Sequence, residues 1–373
     1  MKNLHNKIIA LILSIFVIVF TITFIFKKNN EFSENENRYL QELPEFTFSS
    51  LIEGVYIEKI EDYFADQFPL RDTFMSIKTS FDKLLGKDDI NGVYLAKDDY
   101  LIEKYNEPIN SKKIIENLND FSETINYVNL NLMLVPTSIS INSDKLPKNV
   151  EYKTQMDELN YIYDNINFNT IDVYNILLKQ NNYYQMYYKL DHHWTSYGAY
   201  YAYQEFAKAN NIKYLSINDF DIKEVTNSFN GTLYSKSNDY SRKSDSIHIF
   251  TPKDNNYEVE YVYKKKKTDT LYEMSYLDKK DKYSLFLDNN HPLIIVTNKS
   301  LKTNEEIIVI KDSYANSFVP FLVNHFKKVH IIDPRFYQND ISEYIKDNKN
   351  IKDGLILYNM NTIDQDVGIL AIR

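Results

Sequence analysis

The stretch IIVIKDSY, residues 307–314, indicates the fold most directly. Its four β-branched residues, 307–310, are typical of a buried strand, and a polar turn that contains Ser313 follows at once. Further along the chain, helical spacing of apolar residues alternates with short apolar runs. The expected elements are a helix at 314–326, kinked or started late by Pro320, a strand at 329–332, a helix at 341–347 and a strand at 355–358. Strands that alternate with helices predict parallel pairing and an α/β domain.

The residues before this stretch show the same alternation. Residues 46–85 have helical spacing, interrupted by a turn at Pro69. The elements expected next are hairpin strands at 91–95 and 100–102, a helix at 111–128, a strand at 130–135, a helix at 155–165, a strand at 170–173, a helix that ends at 178 and a helix at 196–209. Residues 245–297 alternate between polar and apolar side chains, which predicts a β-rich insertion.

Three polar residues lie just after the carboxyl ends of expected strands of the C-terminal part. They are Ser313, Asp333 and Asn359. In open α/β sheets, ligands bind beyond the carboxyl ends of the strands. We therefore expect a functional site at this edge of the sheet, with Ser313 before a helix as its candidate nucleophile.

The segment Asp191-His192-His193-Trp194 carries the complementary groups, beside the only tryptophan of the chain. A carboxylate next to an imidazole holds its tautomer and raises its basicity, as a general base requires. Combined with Ser313, the segment suggests a Ser-His-Asp acyl-transfer site.

Each of these features also has a structural explanation. A serine before a helix is often only an N-cap, and an Asp-His pair is often only a hydrogen bond. Two adjacent histidines on a helix cannot easily reach one ion, and no third or fourth ligand is evident, so we expect no metal site. Gly231, one of only 7 glycines, could bring a backbone N–H to a substrate or simply satisfy a turn.

The two imidazoles are expected to differ in orientation. Residues two apart cannot share a face of a helix, so residues 191–194 should be an extended or turn-like approach to the helix that Thr195 caps. In an extended segment, Asp191 and His193 point to the same side and His192 to the opposite one.

The N-terminal residues 7–26 form an apolar run of the length, about 20 residues, that crosses a bilayer as a helix. Lys27 and Lys28 follow without the small residues of a signal-peptidase site, which favours an uncleaved anchor over residues 1–28 with the bulk of the chain outside. The chain has no cysteine, which excludes lipoprotein anchoring. The polar residues 29–45 are expected to form a linker.

Composition excludes further classes of protein. The net charge is −9, and no basic stripe suggests nucleic-acid binding. Without cysteine there are no disulfides and no thiolate metal sites. The 32 tyrosines could line a sugar-binding cleft or simply reflect compositional bias of the genome.

Asp191-His192-His193-Trp194, the segment Lys311-Asp312-Ser313-Tyr314 and the single anchor together resemble the DHHW family of Gram-positive bacteria. That family is related to the SGNH-hydrolase-like domains of alginate O-acetyltransferases. The likeness extends from about residue 36 to residue 359. It implies a three-layer α/β, SGNH-hydrolase-like domain with a central, mostly parallel sheet over residues 46–373, on the extracytoplasmic side of the cell membrane.

By this resemblance Asp191 orients His193, His193 is the base and Ser313 is the nucleophile. Lys311 stands where glycine is usual, and His192 fills a variable position, so either imidazole could be the base. The candidate groups for the oxyanion or the substrate are the backbone N–H of Ser313 and Gly231, Asn359, Tyr314, Trp194 and His192.

The function implied is O-acetyl transfer to, or ester hydrolysis on, a cell-envelope glycan or exopolysaccharide. It needs no cofactor, but a membrane-bound O-acyltransferase partner would have to supply acetyl groups, because acetyl-CoA is cytosolic. The alternative is a non-catalytic protein that binds glycan or acts as a scaffold in the cell envelope or spore. The retained Ser, His and Asp argue against that alternative.

Overall fold

The computed structural model describes residues 2–33, 35–36, 38–106, 108–148, 150–253 and 256–372. Glu34 and Asn37 of the predicted linker, residues 254–255 of the predicted β-rich insertion and the last residue of the predicted domain lie outside the described residues. The α-helices are α1 (Lys2–Phe26), α2 (Phe48–Ile52), α3 (Val55–Asp66), α4 (Arg71–Leu84), α5 (Ser111–Thr124), α6 (Ser138–Ile141), α7 (Met156–Asn165), α8 (Tyr174–Gln180), α9 (Ser196–Ala209), α10 (Thr232–Ser237), α11 (Val319–Leu322) and α12 (Ile341–Asp347).

Short strands and 3₁₀ turns complete the secondary structure. The strands are β1 (Phe32–Ser33), β2 (Arg38–Tyr39), β3 (Asp89–Ile90), β4 (Val93–Leu95), β5 (Leu101–Glu103), β6 (Asn129–Val135), β7 (Asn169–Thr170), β8 (Phe220–Phe229), β9 (Asp245–Pro252), β10 (Tyr257–Tyr261), β11 (Lys266–Thr268), β12 (Leu293–Asn298), β13 (Glu306–Lys311), β14 (Lys328–Ile332) and β15 (Ile351–Asn359). The 3₁₀ segments are Ser143–Lys145, Ile217–Asp219, Met274–Asp278, Lys282–Leu285, Ser313–Ser317 and Ile369–Ala371.

By its internal contacts the chain forms two compact units. The first contains Met1–Lys87 and Ser235–Ser241, and the second contains Asp88–Tyr234 and Arg242–Arg373. The predicted boundaries at residues 28 and 45 stay predictions, but the contacts group residues 46–87 with the N-terminal helix.

In the first unit, α1 contains a 23-residue segment, Leu4–Phe26, that is long and apolar enough to cross a membrane. The described residues of the predicted linker, 29–33, 35–36 and 38–45, are not detached from the rest of the unit. The Asn30 backbone N–H donates to Gln67 at 3.0 Å, and the Gln67 amide donates back to the Asn30 carbonyl at 2.9 Å. Arg38 forms a bidentate ion pair with Asp66, the last residue of α3. These bonds hold the linker against α3.

The second unit is built on an eight-stranded sheet, in the order β11-β10-β12-β14-β13-β15-β6-β7 among the described residues. The strands from β14 to β7 are parallel, and β12, β10 and β11 extend the sheet in antiparallel fashion. Val309 of β13 lies opposite Ile331 on one side and Leu355 on the other. The segment predicted as a β-rich insertion therefore supplies strands to the main sheet.

Side chains of the central strands alternate between two apolar cores, which gives the three layers that the resemblance implied. Ile307 and Val309 face the core formed with α8, α9 and α11. Ile308 and Ile310 face the core formed with α5, α7 and α12. A strand buried on both faces requires apolar residues at every position, and for this reason β13 reads as a continuous apolar run. The α/β class with a mostly parallel central sheet is confirmed.

The helix expected at 314–326 is wrong in its extent. A 3₁₀ turn, Ser313–Ser317, follows β13, and α11 is a single turn with Pro320 near its start. A proline lacks the N–H that a helix interior needs and clashes with the carbonyl four residues back, so it is best tolerated in the first turn, where Pro320 lies in α11. The helix expected at 196–209 is confirmed, with Thr195 as its N-cap accepting from the Gly198 N–H.

Candidate active site

The carboxyl ends of three adjacent parallel strands meet at one edge of the sheet. Ser313 lies just beyond β13, Asp333 just beyond β14, and Asn359 ends β15. The order of the strands thus brings together residues that are far apart in the sequence. The segment that precedes α9 delivers Asp191 and His193 to the same place.

Ser313, His193 and Asp191 form a continuous chain of hydrogen bonds. Ser313 Oγ lies 2.8 Å from His193 Nε2, and His193 Nδ1 lies 2.6 Å from Asp191 Oδ1. Asp191 also accepts the His193 backbone N–H at 3.0 Å, so the segment forms a turn closed by its own carboxylate. Thr232 holds the other carboxylate oxygen through its N–H at 2.8 Å and its hydroxyl at 3.0 Å.

The surroundings of Asp191 and His193 lower the pKa of both groups. Burial alone would raise the pKa of Asp191, but the imidazoles of His192 and His193 and the bonds from His193 and Thr232 hold it well below its usual value. Burial, with the positive potential of His192, lowers the pKa of His193 to about 4, although Asp191 opposes this shift. At neutral pH the pair is therefore a carboxylate beside a neutral imidazole, the state in which a histidine can accept a proton.

The prediction that His192 points away from His193 is wrong. The two imidazole centroids lie 3.9 Å apart, and His192 Nδ1 lies 2.6 Å from the Thr232 hydroxyl. Residues 191–193 form a bend, and an extended segment would have been needed to separate the two rings. His192 is nonetheless the more exposed of the two, with a side chain 32% exposed against 8% for His193.

Gly231 packs against the carboxylate of Asp191. A Cβ added there would lie 2.2 Å from Asp191 Oδ2 and 2.6 Å from its carboxyl carbon. No side chain fits in that space, so the residue must be glycine for Thr232 to reach the carboxylate. The structure therefore gives this close approach as a reason for glycine at position 231, and the substrate contact that we considered for its backbone N–H stays a prediction.

Asn359 holds the turn that carries Ser313. Its side-chain amide donates to Asp312 Oδ2 and to Thr362 Oγ1, both at 2.7 Å, and its backbone N–H donates to Asp312 at 2.8 Å. All its hydrogens are therefore engaged within the protein, which argues against the oxyanion role expected for it. Asp312 is fully buried, and burial raises its pKa to about 6.

Trp194 and Tyr314 connect the two segments of the site. The Trp194 indole N–H donates to the Tyr314 carbonyl at 2.9 Å, and the Tyr314 hydroxyl donates to the His192 carbonyl. Both side chains are completely buried, so neither presents a surface to a substrate as we expected. Their bonds instead set the position of the histidine segment relative to Ser313.

Tyr283, which the sequence did not single out, completes the surroundings of His193. Its ring stacks on the imidazole with 3.7 Å between centroids and 11° between planes. Its hydroxyl donates to the Ser313 carbonyl at 3.1 Å and lies 3.1 Å from Ser317 Oγ. It comes from the predicted β-rich insertion, and one tyrosine among 32 carries no signal of its own.

A family model of DHHW proteins matches residues 109–332, more than half of the chain. The chain belongs to the DHHW protein family. The predicted resemblance is confirmed, and the matched range includes both Asp191 and Ser313. Among curated proteins, no sequence matches the chain.

Solved structures include other DHHW-like folds. A DHHW family protein from Eubacterium siraeum is 23% identical, over 76% of this chain and 96% of its own, with a TM-score of 0.66. Bacillus cereus PatB1, solved with a sulfonyl adduct, is 23% identical over 78% of this chain and 99% of its own, with a TM-score of 0.62. The O-acetyltransferase domain of Pseudomonas putida AlgJ is more distant, at 12% identity over 73% and 92% and a TM-score of 0.47. The first two likenesses show a shared fold.

Lys311 occupies a position at which the DHHW resemblance led us to expect glycine. It forms a buried ion pair with Asp333. Its side chain is completely buried, with the ammonium 3.1 Å from Asp333 and 2.6 Å from the Asn290 amide oxygen. Arg335 donates two hydrogen bonds to the same carboxylate, from Nε to Asp333 Oδ1 at 2.8 Å and from Nη2 to Asp333 Oδ2 at 2.6 Å. A buried carboxylate between two cations ties the ends of β13 and β14 together.

Asp191, His192 and His193 are also the described residues that come closest to a metal-ligand cluster, with ligand atoms within 4.8 Å of one another. Both nitrogens of His193 already have hydrogen-bond partners, Asp191 and Ser313. An ion bound there would have to replace those contacts, so the arrangement fits a proton relay better than a metal centre.

Proposed function

We propose that this protein is a membrane-anchored, extracytoplasmic O-acetyltransferase or acetylesterase that acts on a glycan of the cell envelope or an exopolysaccharide. One observation carries the proposal. Ser313 Oγ, both nitrogens of His193 and the Asp191 carboxylate form one hydrogen-bonded chain, with spacings of 2.8 and 2.6 Å. A nucleophile joined to an oriented base is the arrangement that acyl transfer requires.

The proposed first half-reaction acetylates Ser313. His193 donates its Nδ1 hydrogen to Asp191, so its Nε2 lone pair faces the hydroxyl of Ser313. As Oγ attacks the acetyl carbonyl, its proton passes to Nε2, and the Asp191 carboxylate stabilises the imidazolium. The tetrahedral intermediate then expels the donor's oxygen, which takes the proton from His193.

The second half-reaction returns the enzyme to its starting state. A sugar hydroxyl gives its proton to His193 and attacks the acetyl-serine, and Ser313 recovers that proton as it leaves. Water in place of the sugar would give hydrolysis by the same steps. Asp191 remains ionised throughout, since its surroundings keep its pKa low.

The turn after β13 offers donors for the oxyanion. Among the contacts of the described residues, the backbone N–H of Ser313 has no hydrogen-bond partner, as a donor at the start of a 3₁₀ turn need not. Asn316 lies one 3₁₀ turn after Ser313, so the two side chains point in the same direction. Its amide donates one hydrogen to Asn290 Oδ1 at 3.1 Å, and its second amide hydrogen is a further candidate donor to the oxyanion. One such donor typically contributes about two to three orders of magnitude in rate.

The localisation and partners belong to the same proposal. Leu4–Phe26 would anchor the protein, with the catalytic unit outside the cell. Because acetyl-CoA is cytosolic, an enzyme outside needs acetyl groups carried across the membrane, and we propose a membrane-bound O-acyltransferase as the supplier. The fold shared with PatB1 is compatible with this proposal but does not identify the polymer.

The test is covalent labelling of the full chain with a fluorophosphonate probe, followed by peptide mass analysis. We expect one label, on Ser313, and none in Ser313→Ala. Ser300→Ala is the control and should label as the native protein does. Ser300 is exposed and follows the end of β12, which lies opposite the start of β14 and so at the other edge of the sheet from Ser313. Hydrolysis of an artificial acetyl ester should follow the same pattern. Labelling and hydrolysis that persist in Ser313→Ala would place the nucleophile elsewhere, and a native chain that does neither would indicate the non-catalytic alternative.

A further inference from the structure

The first unit exposes a row of large apolar side chains along α3, the turn after it and α4. We call this row the aromatic face. It consists of Phe64, Phe68, Leu70, Phe74, Ile77 and Phe81. Each is at least 38% exposed, and Phe81 is 59% exposed. A contiguous apolar patch on a soluble surface usually marks a binding site for a protein or a membrane.

A helix that covers a soluble core turns its apolar side inward, whereas α4 turns its apolar side outward. Leu70, Phe74, Ile77 and Phe81 recur every three or four residues and face outward. On the other side, Thr79 is buried and donates to the Ser237 carbonyl at 3.3 Å, and Lys83 pairs with Asp239 at 3.0 Å. The polar side of α4 is therefore satisfied inside the unit. On the apolar side Phe74 contacts the ring of Phe68, whereas Ile77 and Phe81 remain more than half exposed.

The aromatic face is continuous with the apolar helix α1. The ring of Phe20 lies 5.4 Å from that of Phe68 and 5.8 Å from that of Phe74. One turn further on, the ring of Phe24 lies 5.2 Å from that of Phe64. These contacts lie within the first unit, so the membrane depth of the last turns of α1 determines the depth of the aromatic face.

That depth follows from helix geometry. Phe20 lies six residues before Phe26, where α1 ends, which is about 9 Å along the axis. Lys27 and Lys28 come next and belong at the headgroups, because charged residues stay at the membrane surface. Rings packed on Phe20 and Phe24 therefore lie within about 10 Å of that surface, the depth at which interfacial amphipathic helices insert.

We propose that the aromatic face inserts into the lipid leaflet in which α1 ends, so that α3 and α4 lie in the membrane interface beside the anchor. This inference rests on the membrane anchor of the proposed function, not on its chemistry. Lipid is the occupant indicated because the face is continuous with a membrane span and made of hydrocarbon alone, with no polar group that would select a protein partner. The first unit would then bind the membrane in two ways, through the transmembrane helix α1 and through the aromatic face.

The test measures depth in proteoliposomes of phosphatidylcholine and phosphatidylglycerol. Because the chain has no cysteine, single variants can be spin-labelled cleanly. Ile77→Cys and Phe81→Cys report the aromatic face, Lys59→Cys on the exposed polar side of α3 is the matched control, and Ile15→Cys reports insertion of α1. We expect the ratio of oxygen to nickel-chelate collision rates at residues 77 and 81 to exceed that at residue 59 by about threefold or more, as burial of several ångströms in acyl chains requires.

Each other outcome overturns the inference in a distinct way. A lipid signal at residue 15 with water-like signals at 77 and 81 would leave the anchor intact and refute the interfacial face. A water-like signal at residue 15 as well would refute the anchor, and the inference with it. The same labels are also measured in native membranes. Protection there, together with water-like signals in proteoliposomes, would assign the face to a membrane protein instead of lipid. None of these outcomes bears on the labelling of Ser313.

Discussion

His192 and His193 lie ring against ring, yet of the two only His193 contacts Ser313, the proposed nucleophile. His193 Nε2 is 2.8 Å from Ser313 Oγ, whereas the hydrogen-bond partner of His192 Nδ1 is the Thr232 hydroxyl. We expect His193→Ala to slow acylation of Ser313 by roughly three to four orders of magnitude, since it removes the base. His192→Ala should cost much less, because it leaves Asp191, His193 and Ser313 in contact.

Single-turnover acylation with an artificial acetyl ester measures both variants, and circular dichroism verifies their folds. An equal loss in the two variants, or a larger loss at His192, would contradict the assignment of His193 as the base.

The pH dependence follows from the surroundings of His193. Burial lowers its pKa to about 4, below the ordinary 6.5, so the neutral, proton-accepting form persists into acid solution. The rate of fluorophosphonate labelling should therefore rise with pH around 4 and be level through 6.5. Asp191 stays ionised over this range, because its pKa is lower still. Labelling rates between about pH 3.5 and 8, on protein shown to remain folded, locate the inflection. A midpoint near 6.5 would mean that water reaches the imidazole more freely than the structure indicates.

At the scale of elements, the 3₁₀ segment Lys282–Leu285 brings Tyr283 to His193, the proposed base, while the 3₁₀ turn Ser313–Ser317 carries the proposed nucleophile. The ring of Tyr283 stacks on His193, and its hydroxyl donates to the carbonyl of Ser313. Tyr283→Leu should reduce acylation by about tenfold to a hundredfold through misplacement of the imidazole, and should move the acidic inflection upward as water enters.

Tyr283→Phe is the matched control, because it keeps the stacked ring and removes only the hydroxyl. We expect it to keep the acidic inflection of the native protein and most of its rate. If Tyr283→Leu changes stability but leaves both the rate and the inflection as they are, Tyr283 is a packing residue and does not position the base.

At the scale of the whole molecule, the N-terminal apolar helix is the proposed membrane anchor. Leu4–Phe26 has the length of a bilayer span, and Phe24–Lys28 lacks the small residues at which signal peptidase cuts. We expect the native protein, extracted from membranes with detergent, to retain residues 1–28. Intact-mass analysis or N-terminal sequencing measures this directly. A mature N-terminus near Asn29 would show that the span is a removed signal.

Local pattern was enough to determine much of this protein. The alternation of apolar strands with helices predicted the α/β class, and Thr195 with the spacing after it predicted α9 at 196–209 to the residue. The motif around His193 and the strand that ends before Ser313 were enough to propose the candidate reacting groups, because their residue types and neighbours are read from adjacent positions in the chain. Pro320 was visible as a helix breaker, although its effect, a 3₁₀ turn and one turn of α11, was not.

Only the tertiary structure decided which distant residues meet. Ser313 and His193 are 120 residues apart, and they lie 2.8 Å from each other because the segment before α9 packs against the turn after β13, where Trp194 and Tyr314 join the two. The roles of Thr232, Gly231 and Tyr283 depend on segments that approach Asp191 and His193 from elsewhere in the chain. The outward direction of the apolar side of α4 likewise depends on what packs behind it. A sequence pattern records which side of a helix or strand is apolar, whereas the neighbour on that side is determined by how all the elements pack together.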